Sequence, residues 1–256
     1  MTSPATRKLG RPRAMEWKST LEPREDVLRA AGWLFTTQGY TSTSTREIAA
    51  AAGLRQGSLF HYFKRKRDIL AELLDRTVDF PMGLHARLAE MNLEPEVKLY
   101  LLSRGDVSNI LAGAHNLGAL TLLPEVRTGE FASFWEKRSQ VRDAYRVLIE
   151  AGIASNVLDD LELDLATDLV FGLIESTITW FDRSSMRGRE EVAEATASAA
   201  LRVVLRDSGD LDRIRQAANL PGDWVVRSGA SKDGESPSPA ASRLLPIRSA
   251  RQGHRA

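Results

Sequence analysis

The stretch STSTREIAAAAGLRQGSLFHYFKRK, residues 42–66, decides how the N-terminal part of the chain folds. Its first half predicts a short helix over residues 44–51, which Gly53 ends because glycine enters a left-handed turn without steric cost. Its second half predicts a helix over residues 56–63 with one apolar side and one polar side. Two short helices joined by a tight turn form a helix-turn-helix pattern.

The second helix of this pattern carries the candidate contacts to DNA. Leu59 and Phe63, four residues apart, are the predicted inner side. Residues at the N-terminal end of a recognition helix meet base edges, so Gln56 and Ser58 are candidates for base contacts and Gly57 for close approach to the duplex. The further candidates, for contacts to phosphate, guanine or thymine methyl groups, are Thr45, Arg46, Arg55, His61, Tyr62 and Lys66. Partial packing against the first helix, residues 22–38, is the alternative for His61 and Tyr62, and a solvated charge is the alternative for Lys66.

Residues 1–20 predict a flexible basic arm. Gly-Arg-Pro-Arg at residues 10–13 resembles the core of an AT-hook, in which arginine lies in a narrow A·T minor groove. Arg11 and Arg13 are therefore candidate DNA contacts, with a solvated tail as the alternative.

The charges are distributed unevenly along the chain. Residues 1–70 contain 13 basic and 6 acidic residues, whereas the whole chain of 256 residues has a net charge of only +1. A basic end joined to an acidic body is typical of a nucleic-acid reader attached to a second functional unit. The basic start has no apolar segment of a signal peptide, and the uncharged residues 107–124 include polar residues and glycines. We therefore expect a cytoplasmic protein without a membrane partner.

The motifs RxxVLxAAxxLFxxxGY (residues 24–40), TxxIAxxAGL (residues 45–54) and GSLFxYFxxK (residues 57–66) resemble the TetR (tetracycline-repressor) family of bacterial regulators. The resemblance implies an all-α protein: an N-terminal three-helix helix-turn-helix domain followed by a helical ligand-binding and dimerisation domain. The chain departs from the family pattern at Arg55, Phe60, Arg65 and Arg67. These departures predict stronger attraction to phosphate and a changed base preference, so the operator sequence cannot be copied from a relative.

Four regions are predicted: the arm at 1–20, the DNA-binding domain at 21–67, the ligand-binding and dimerisation domain at 68–225, and a disordered tail at 226–256 that is rich in Ser, Pro, Arg and Gly. Pro81 is expected to end the helix that follows the DNA-binding domain, because proline removes a helical hydrogen bond. The predicted helices are 22–38, 44–51, 56–63, 68–80, 84–92, 96–111, 131–152, 163–181 and 190–206. The last two are apolar and rich in alanine, which suits a four-helix contact between the subunits of a homodimer.

Polar side chains close to apolar stripes mark a candidate effector site in the second domain. A buried charge is costly unless it is paired or meets a ligand. Plain packing and buried ion pairs are the alternatives for every one of these residues. The expected effector is a small organic molecule with aromatic and polar character. The candidates are Tyr100, Arg104, His115, Asn116, Phe131, Trp135, Arg138, Arg142 and Glu175.

The sequence therefore favours a ligand-responsive repressor that binds a pseudo-palindromic operator as a dimer. The alternative is a DNA-binding activator or architectural regulator without a small-molecule inducer. An enzyme is the third hypothesis and the weakest, because the chain has four scattered histidines, no cysteine and no phosphate-binding glycine loop. We expect no catalytic residues, no cofactor and no metal site.

Overall fold

The computed structural model describes residues 22–112, 115–182 and 187–219, together with two short strands. The described residues form nine α-helices: α1 Pro23–Gln38, α2 Thr45–Ala51, α3 Gln56–Tyr62, α4 Lys66–Ala89, α5 Pro95–Leu111, α6 Ala132–Ala154, α7 Leu163–Trp180, α8 Arg189–Val204 and α9 Asp210–Ala217. Three 3-10 helices, η1 Leu117–Leu122, η2 Pro124–Arg127 and η3 Gly129–Phe131, connect α5 to α6. The predicted all-α architecture is confirmed.

Helices α1, α2 and α3 form a small domain around the apolar sides that the sequence predicts. Leu59 is fully buried and Phe63 is 3% exposed, which confirms the inner side of α3. Gly53 has a φ of +71°, so the turn between α2 and α3 uses the left-handed conformation expected there. The start of α2 is a capping box, because the Glu47 backbone N–H donates to Ser44 Oγ at 3.2 Å and Glu47 Oε2 accepts from the Ser44 N–H at 2.8 Å.

Helix α4 differs from the prediction that Pro81 ends it. The helix runs without a break from Lys66 to Ala89, with Pro81 buried inside it. Val78, on the N-terminal side of the proline, and Leu84 and Leu88, on the C-terminal side, are at most 5% exposed. Burial of this continuous apolar side offsets the hydrogen bond that proline removes. The predicted separate helix over 84–92 is therefore the last part of α4.

The second domain is a bundle with α5 at its centre. Helix α5 packs against α4, α6, α7 and α8, and α7 packs beside α8. Helix α9, which the sequence pattern did not predict, packs against α5, and Arg213 Nη2 lies 3.0 Å from the buried Glu96 Oε1. Among the described residues, Leu165 and Leu169 of α7 and Val203 of α8 are large apolar side chains that are exposed.

The predicted arm of residues 1–20 lies outside the described residues, and so does most of the predicted tail. Two strands, β1 Trp224–Val225 and β2 Leu245–Pro246, pair antiparallel. Within the described residues, no helix is long and apolar enough to cross a membrane.

Candidate nucleic-acid interface and effector core

The outer side of the helix-turn-helix is an exposed surface formed by α2 and α3. Ser58 and Thr45 are half-buried, and Gln56 Nε2 donates to Thr45 Oγ1 at 3.1 Å, which joins the starts of the two helices. A Cβ added to Gly57 would meet no atom within 4 Å, so the backbone there is open to close approach. Phe60 is 38% exposed on the same helix. The other predicted DNA contacts that are exposed are Arg46, Arg55, Gln56, His61 and Tyr62.

Lys66 occupies a different environment from these residues. Its ammonium group donates to the carbonyl oxygens of Tyr40 and Thr43, both at 2.7 Å, and lies 4.2 Å from the centre of the Tyr40 ring. Burial lowers the pKa of Lys66, and the nearby carboxylates of Glu125 and Glu47 oppose this shift. The side chain therefore binds the turn between α1 and α2 (residues 40–43).

Two carboxylates of the second domain reach the DNA-binding domain. Glu125, in η2, accepts a hydrogen bond from the hydroxyl of Thr41 in the α1–α2 turn. Glu130, in η3, pairs with Arg67 in the first turn of α4. The hydrogen bond from Thr41 is also the largest cause that lowers the pKa of Glu125. The connection between α5 and α6 therefore contacts the DNA-binding domain on both sides of the recognition helix: at Thr41, before α2, and at Arg67, after α3.

The 3-10 helix η1 joins α1 to the end of α7. A Cβ on Gly32 of α1 would lie 2.9 Å from Cδ2 of Leu117, so the two elements pack closely. On the other side, Asn116 Nδ2 donates to the carbonyl oxygen of Ile178 at 2.7 Å. The connection between α5 and α6 therefore contacts both domains directly.

A cluster of charged and aromatic side chains lies between α6 and α7. Arg138 pairs with Glu175, and its guanidinium carbon lies 5.3 Å from the ring centres of both Trp135 and Phe171. Burial raises the pKa of Glu175, and Arg138 opposes this shift. The structure thus brings together three of the predicted effector residues, Trp135, Arg138 and Glu175.

A second buried pair extends this cluster toward α5. Asp106 Oδ2 accepts a hydrogen bond of 3.0 Å from the Tyr145 hydroxyl, and the Tyr145 ring centre lies 5.4 Å from that of Phe171. The pKa of Asp106 is raised to about 7, mainly by burial and also by the charge of Glu175, while the hydrogen bond from Tyr145 and the charge of Arg138 lower it. Ser103, on the same side of α5, is fully buried. These groups form, with Trp135, Arg138 and Glu175, a polar cluster inside an apolar bundle, which we call the effector core.

Sequence reasoning missed Asp106 and Ser103, although a signal was available. Leu99, Leu102, Ser103 and Asp106 follow the i, i+3, i+4, i+7 spacing of one helix side, and all are at most 4% exposed. Ser103 and Asp106 therefore share the buried side of α5 with Leu99 and Leu102, and their spacing in the sequence could have predicted this.

The remaining predicted effector residues lie elsewhere. Arg104 pairs with the exposed Glu190 at 3.4 Å, and Arg142 Nε bonds Asp168 Oδ1 at 2.7 Å on the surface between α6 and α7. Tyr100 and Phe131 are buried in the apolar packing, His115 and Asn116 precede η1, and Asn116 bonds the end of α7.

Comparison with known proteins gives consistent results for both domains. A family model described as "Bacterial regulatory proteins, tetR family" matches residues 27–73, and one described as "Tetracyclin repressor-like, C-terminal domain" matches residues 117–204. The crystal structure of AmtR from Mycobacterium smegmatis is 41% identical, covers 78% of this chain and 96% of its own, and superposes with a TM-score of 0.68.

Two further relatives are more distant. The HTH-type transcriptional repressor KstR2 of Mycolicibacterium smegmatis is 24% identical over 199 residues, which cover 73% of this chain and 93% of the relative. The structure of AibR in complex with isovaleryl coenzyme A and operator DNA is 19% identical, covers 70% of this chain and 97% of its own, and has a TM-score of 0.60. At 19% identity, the similarity to AibR shows that the two proteins share a fold.

An exposed, polar recognition helix on a three-helix domain, joined to a helical bundle, defines a helix-turn-helix transcriptional regulator. The chain belongs to the TetR family of bacterial regulatory proteins. Its helix-turn-helix domain makes it a DNA-binding transcriptional regulator.

Proposed function

We propose that the protein represses transcription as a homodimer that binds a pseudo-palindromic operator and leaves it when a small organic effector binds the second domain. Two copies of α3 would enter successive major grooves, about 34–36 Å apart. The single observation that carries the proposal is the exposed polar side of α3, with Gln56 at its start and open space at Gly57. We place this activity in the cytoplasm.

The proposed DNA contacts divide by chemistry. Gln56 and Ser58, at the start of α3, would contact base edges, and Arg55 would contact a guanine or a phosphate. Arg46 and Thr45, in the first turn of α2, would contact phosphate, where the backbone N–H groups of a helix start also point outward. His61 and Tyr62 would contact phosphate or thymine methyl groups one turn further along. Arg11 and Arg13 of the proposed arm would contact the flanking minor groove.

The proposed dimer contact is formed by the exposed apolar side chains of α7 and α8. Leu165 and Leu169 of α7 are 52% and 46% exposed, and Trp180, at the end of the same helix, is 49% exposed. Val203 of α8 is 41% exposed. A stripe of large apolar side chains along a helix pair is typical of a surface that a partner covers. A second copy of the chain would bury it in a four-helix contact.

The effector core is the proposed site for the small molecule. Arg138 supplies a positive charge, Trp135 and Phe171 supply aromatic surface, and Asp106 and Glu175 supply carboxyl groups. AibR, a protein of this fold, was solved with isovaleryl coenzyme A and operator DNA, which supports the binding of both a small organic molecule and DNA by this fold. An effector that prefers one spacing of the two recognition helices would shift the population away from the DNA-bound state.

The proposed functional regions are those predicted from the sequence: an arm at 1–20, a DNA-binding domain at 21–67, an effector and dimer domain at 68–225 and a tail at 226–256.

Selection of bound duplexes from a random library by the full chain tests the proposed operator binding. We expect an inverted repeat with half-sites about one helical turn apart. Gln56→Ala should change the selected bases, whereas Gln140→Ala, an exposed glutamine on α6, should not. Recovery of no inverted repeat would contradict dimeric operator binding.

A further inference from the structure

We propose that Lys66 is a positioning residue for DNA binding: its ammonium group fixes the α1–α2 turn, and through it the starts of α2 and α3, without contacting phosphate itself. The inference rests on the proposed DNA interface and replaces the direct phosphate contact that the sequence predicts for Lys66. It concerns how the recognition helix is held and leaves the identity of the operator open.

The donors of Lys66 are already directed at the turn. A lysine ammonium group has three N–H donors. Two of them make 2.7 Å hydrogen bonds to the carbonyl oxygens of Tyr40 and Thr43, and the Thr41 carbonyl oxygen lies at 3.5 Å. The Tyr40 ring, 4.2 Å away, faces the same positive charge. These two short hydrogen bonds leave one donor, whose nearest acceptor is the Thr41 carbonyl oxygen, and they hold the ammonium group against the turn.

The turn is directly connected to the elements that meet DNA. The Thr43 N–H donates to the Tyr40 carbonyl oxygen at 3.1 Å, so the two acceptors of Lys66 are also the two ends of this turn. Thr43 is 2% exposed and immediately precedes Ser44, the N-cap of α2. The next residue, Thr45, accepts the hydrogen bond from Gln56 at the start of α3. A change in the turn therefore moves the first residues of both helices.

The nearby cationic side chains differ from Lys66 in this respect. Arg55 and Arg46 are exposed on the outer side of α3 and α2. Lys64 is also exposed, and its ammonium group donates to the carbonyl oxygen of Phe60 at 3.3 Å. Lys66 is half-buried among backbone carbonyls, although it belongs to the same run of positive charges. Position in a basic run therefore does not decide which cation reaches the phosphates.

Two variants of the full chain separate positioning from phosphate contact. Lys66→Met keeps an unbranched side chain that is one atom shorter and removes every donor, and Arg55→Met is the matched control that removes a proposed DNA contact. The affinity for the selected operator and for an unrelated duplex is measured over a range of salt concentrations. A lost phosphate contact lowers the salt slope by about 0.9 and weakens binding to every duplex.

We expect Lys66→Met to weaken operator binding at least ten-fold, to change binding to the unrelated duplex by less than two-fold, and to leave the salt slope unchanged. Arg55→Met should instead weaken binding to both duplexes and lower the slope. A slope lowered by about 0.9 in Lys66→Met, with equal losses on both duplexes, would make Lys66 a phosphate contact. Unchanged operator affinity would also overturn the proposal.

A second variant tests the route through the turn. Thr43→Val keeps the shape of the buried side chain and removes the hydroxyl that donates to the Gly39 carbonyl oxygen at 2.7 Å. We expect this variant to lose operator affinity without a change in slope, and its effect to overlap with that of Lys66→Met in the double variant. If the loss of operator affinity in the double variant equals the product of the two single losses, the two residues do not act through the same turn. If Lys66→Met is too unstable to assay, Lys66→Gln is measured in its place, and a salt slope lowered by about 0.9 with equal losses on both duplexes overturns the proposal.

The proposed function fails in a different way from this inference. If the wild-type chain selects no sequence from the library, the operator proposal is wrong. If the wild-type chain selects an operator and Lys66→Met behaves like Arg55→Met, only the positioning role is wrong.

Discussion

The hydroxyl group of Tyr145 donates a 3.0 Å hydrogen bond to Oδ2 of Asp106, and this bond joins α6 to α5 inside the bundle. Tyr145 is fully buried and Asp106 is 4% exposed. Burial raises the pKa of Asp106 to about 7, and burial followed by the charge of Asp106 raises the pKa of Tyr145 well above its usual value. The effector core therefore contains a carboxyl group that exchanges its proton near neutral pH.

The stability of the protein should depend on the protonation of Asp106. Its pKa is about 7 in the folded chain and about 3.9 in an unfolded chain, so the folded state holds the proton more strongly. The contribution to the free energy of unfolding is full below about pH 4 and is lost as pH rises through about 7. Asp106→Asn accepts the Tyr145 hydrogen bond without a charge, so the melting temperature of wild type should fall relative to this variant between pH 5 and pH 8. Parallel pH profiles for the two proteins would show that Asp106 keeps an ordinary pKa.

The sequence predicts the DNA-binding domain more completely than the effector core. The capping box of Ser44 and Glu47 and the left-handed Gly53 depend on contacts within a few residues, and the inner side formed by Leu59 and Phe63 is marked by their spacing of four residues. Such short-range patterns are visible in the sequence. For this reason the sequence alone predicts the position of the helix-turn-helix.

Contacts between distant residues account for the differences. Arg138 and Arg142 are one helical turn apart and were predicted to serve one site, yet Arg138 pairs with Glu175 and Arg142 with Asp168. The partners lie on another helix, so their identity depends on how α6 and α7 cross. In the same way, Pro81 does not end α4, because the buried side of that helix continues beyond it.

The exposed apolar side chains of α7, which are Leu165, Leu169 and Trp180, should be required for dimer formation. Leu169→Glu places a charge at a side chain that is 46% exposed in the single chain and that would be buried between two copies. We expect a monomer by size-exclusion chromatography with light scattering, together with weaker operator binding. Val147→Glu is the matched control, because Val147 is 53% exposed on α6, outside the proposed contact. A dimer in Leu169→Glu, or a monomer in Val147→Glu, would place the interface on another surface.

The basic arm should favour A·T-rich flanks. Deletion of residues 1–14 removes Arg11 and Arg13 and should weaken binding mainly when the operator is flanked by A·T base pairs, whose narrow minor groove attracts arginine. Binding to operators with A·T and G·C flanks, measured for the full and shortened chains, checks this expectation. An equal loss on both flanks would reduce the arm to a general electrostatic contribution.

The ion pair between Arg67 and Glu130 should limit DNA affinity. Arg67 belongs to the basic run after the recognition helix, but in the structure without DNA it pairs with a carboxylate of the second domain. Glu130→Gln removes that competitor and leaves only the weaker contact of Arg67 Nε with Asp68 Oδ1 at 3.7 Å among the described ion pairs of Arg67, so more of the guanidinium group is available to phosphate. We expect tighter binding to all duplexes, by no more than about five-fold because an exposed ion pair contributes about 0–1 kcal/mol, and a salt slope that is steeper by about 0.9.

A charge effect at a distance must be separated from the loss of this particular pair. Glu136→Gln removes a negative charge at an exposed position one turn into α6 and is the matched control. The gain from Glu130→Gln should also disappear when Arg67 is replaced by Gln, because the freed guanidinium is then absent. If Glu136→Gln gives the same gain, or if the gain persists without Arg67, the acidic second domain repels DNA as a whole. If the gain is confined to Glu130 and depends on Arg67, the connection between α5 and α6 holds a cation that DNA would otherwise bind, and a shift of that connection would change operator affinity.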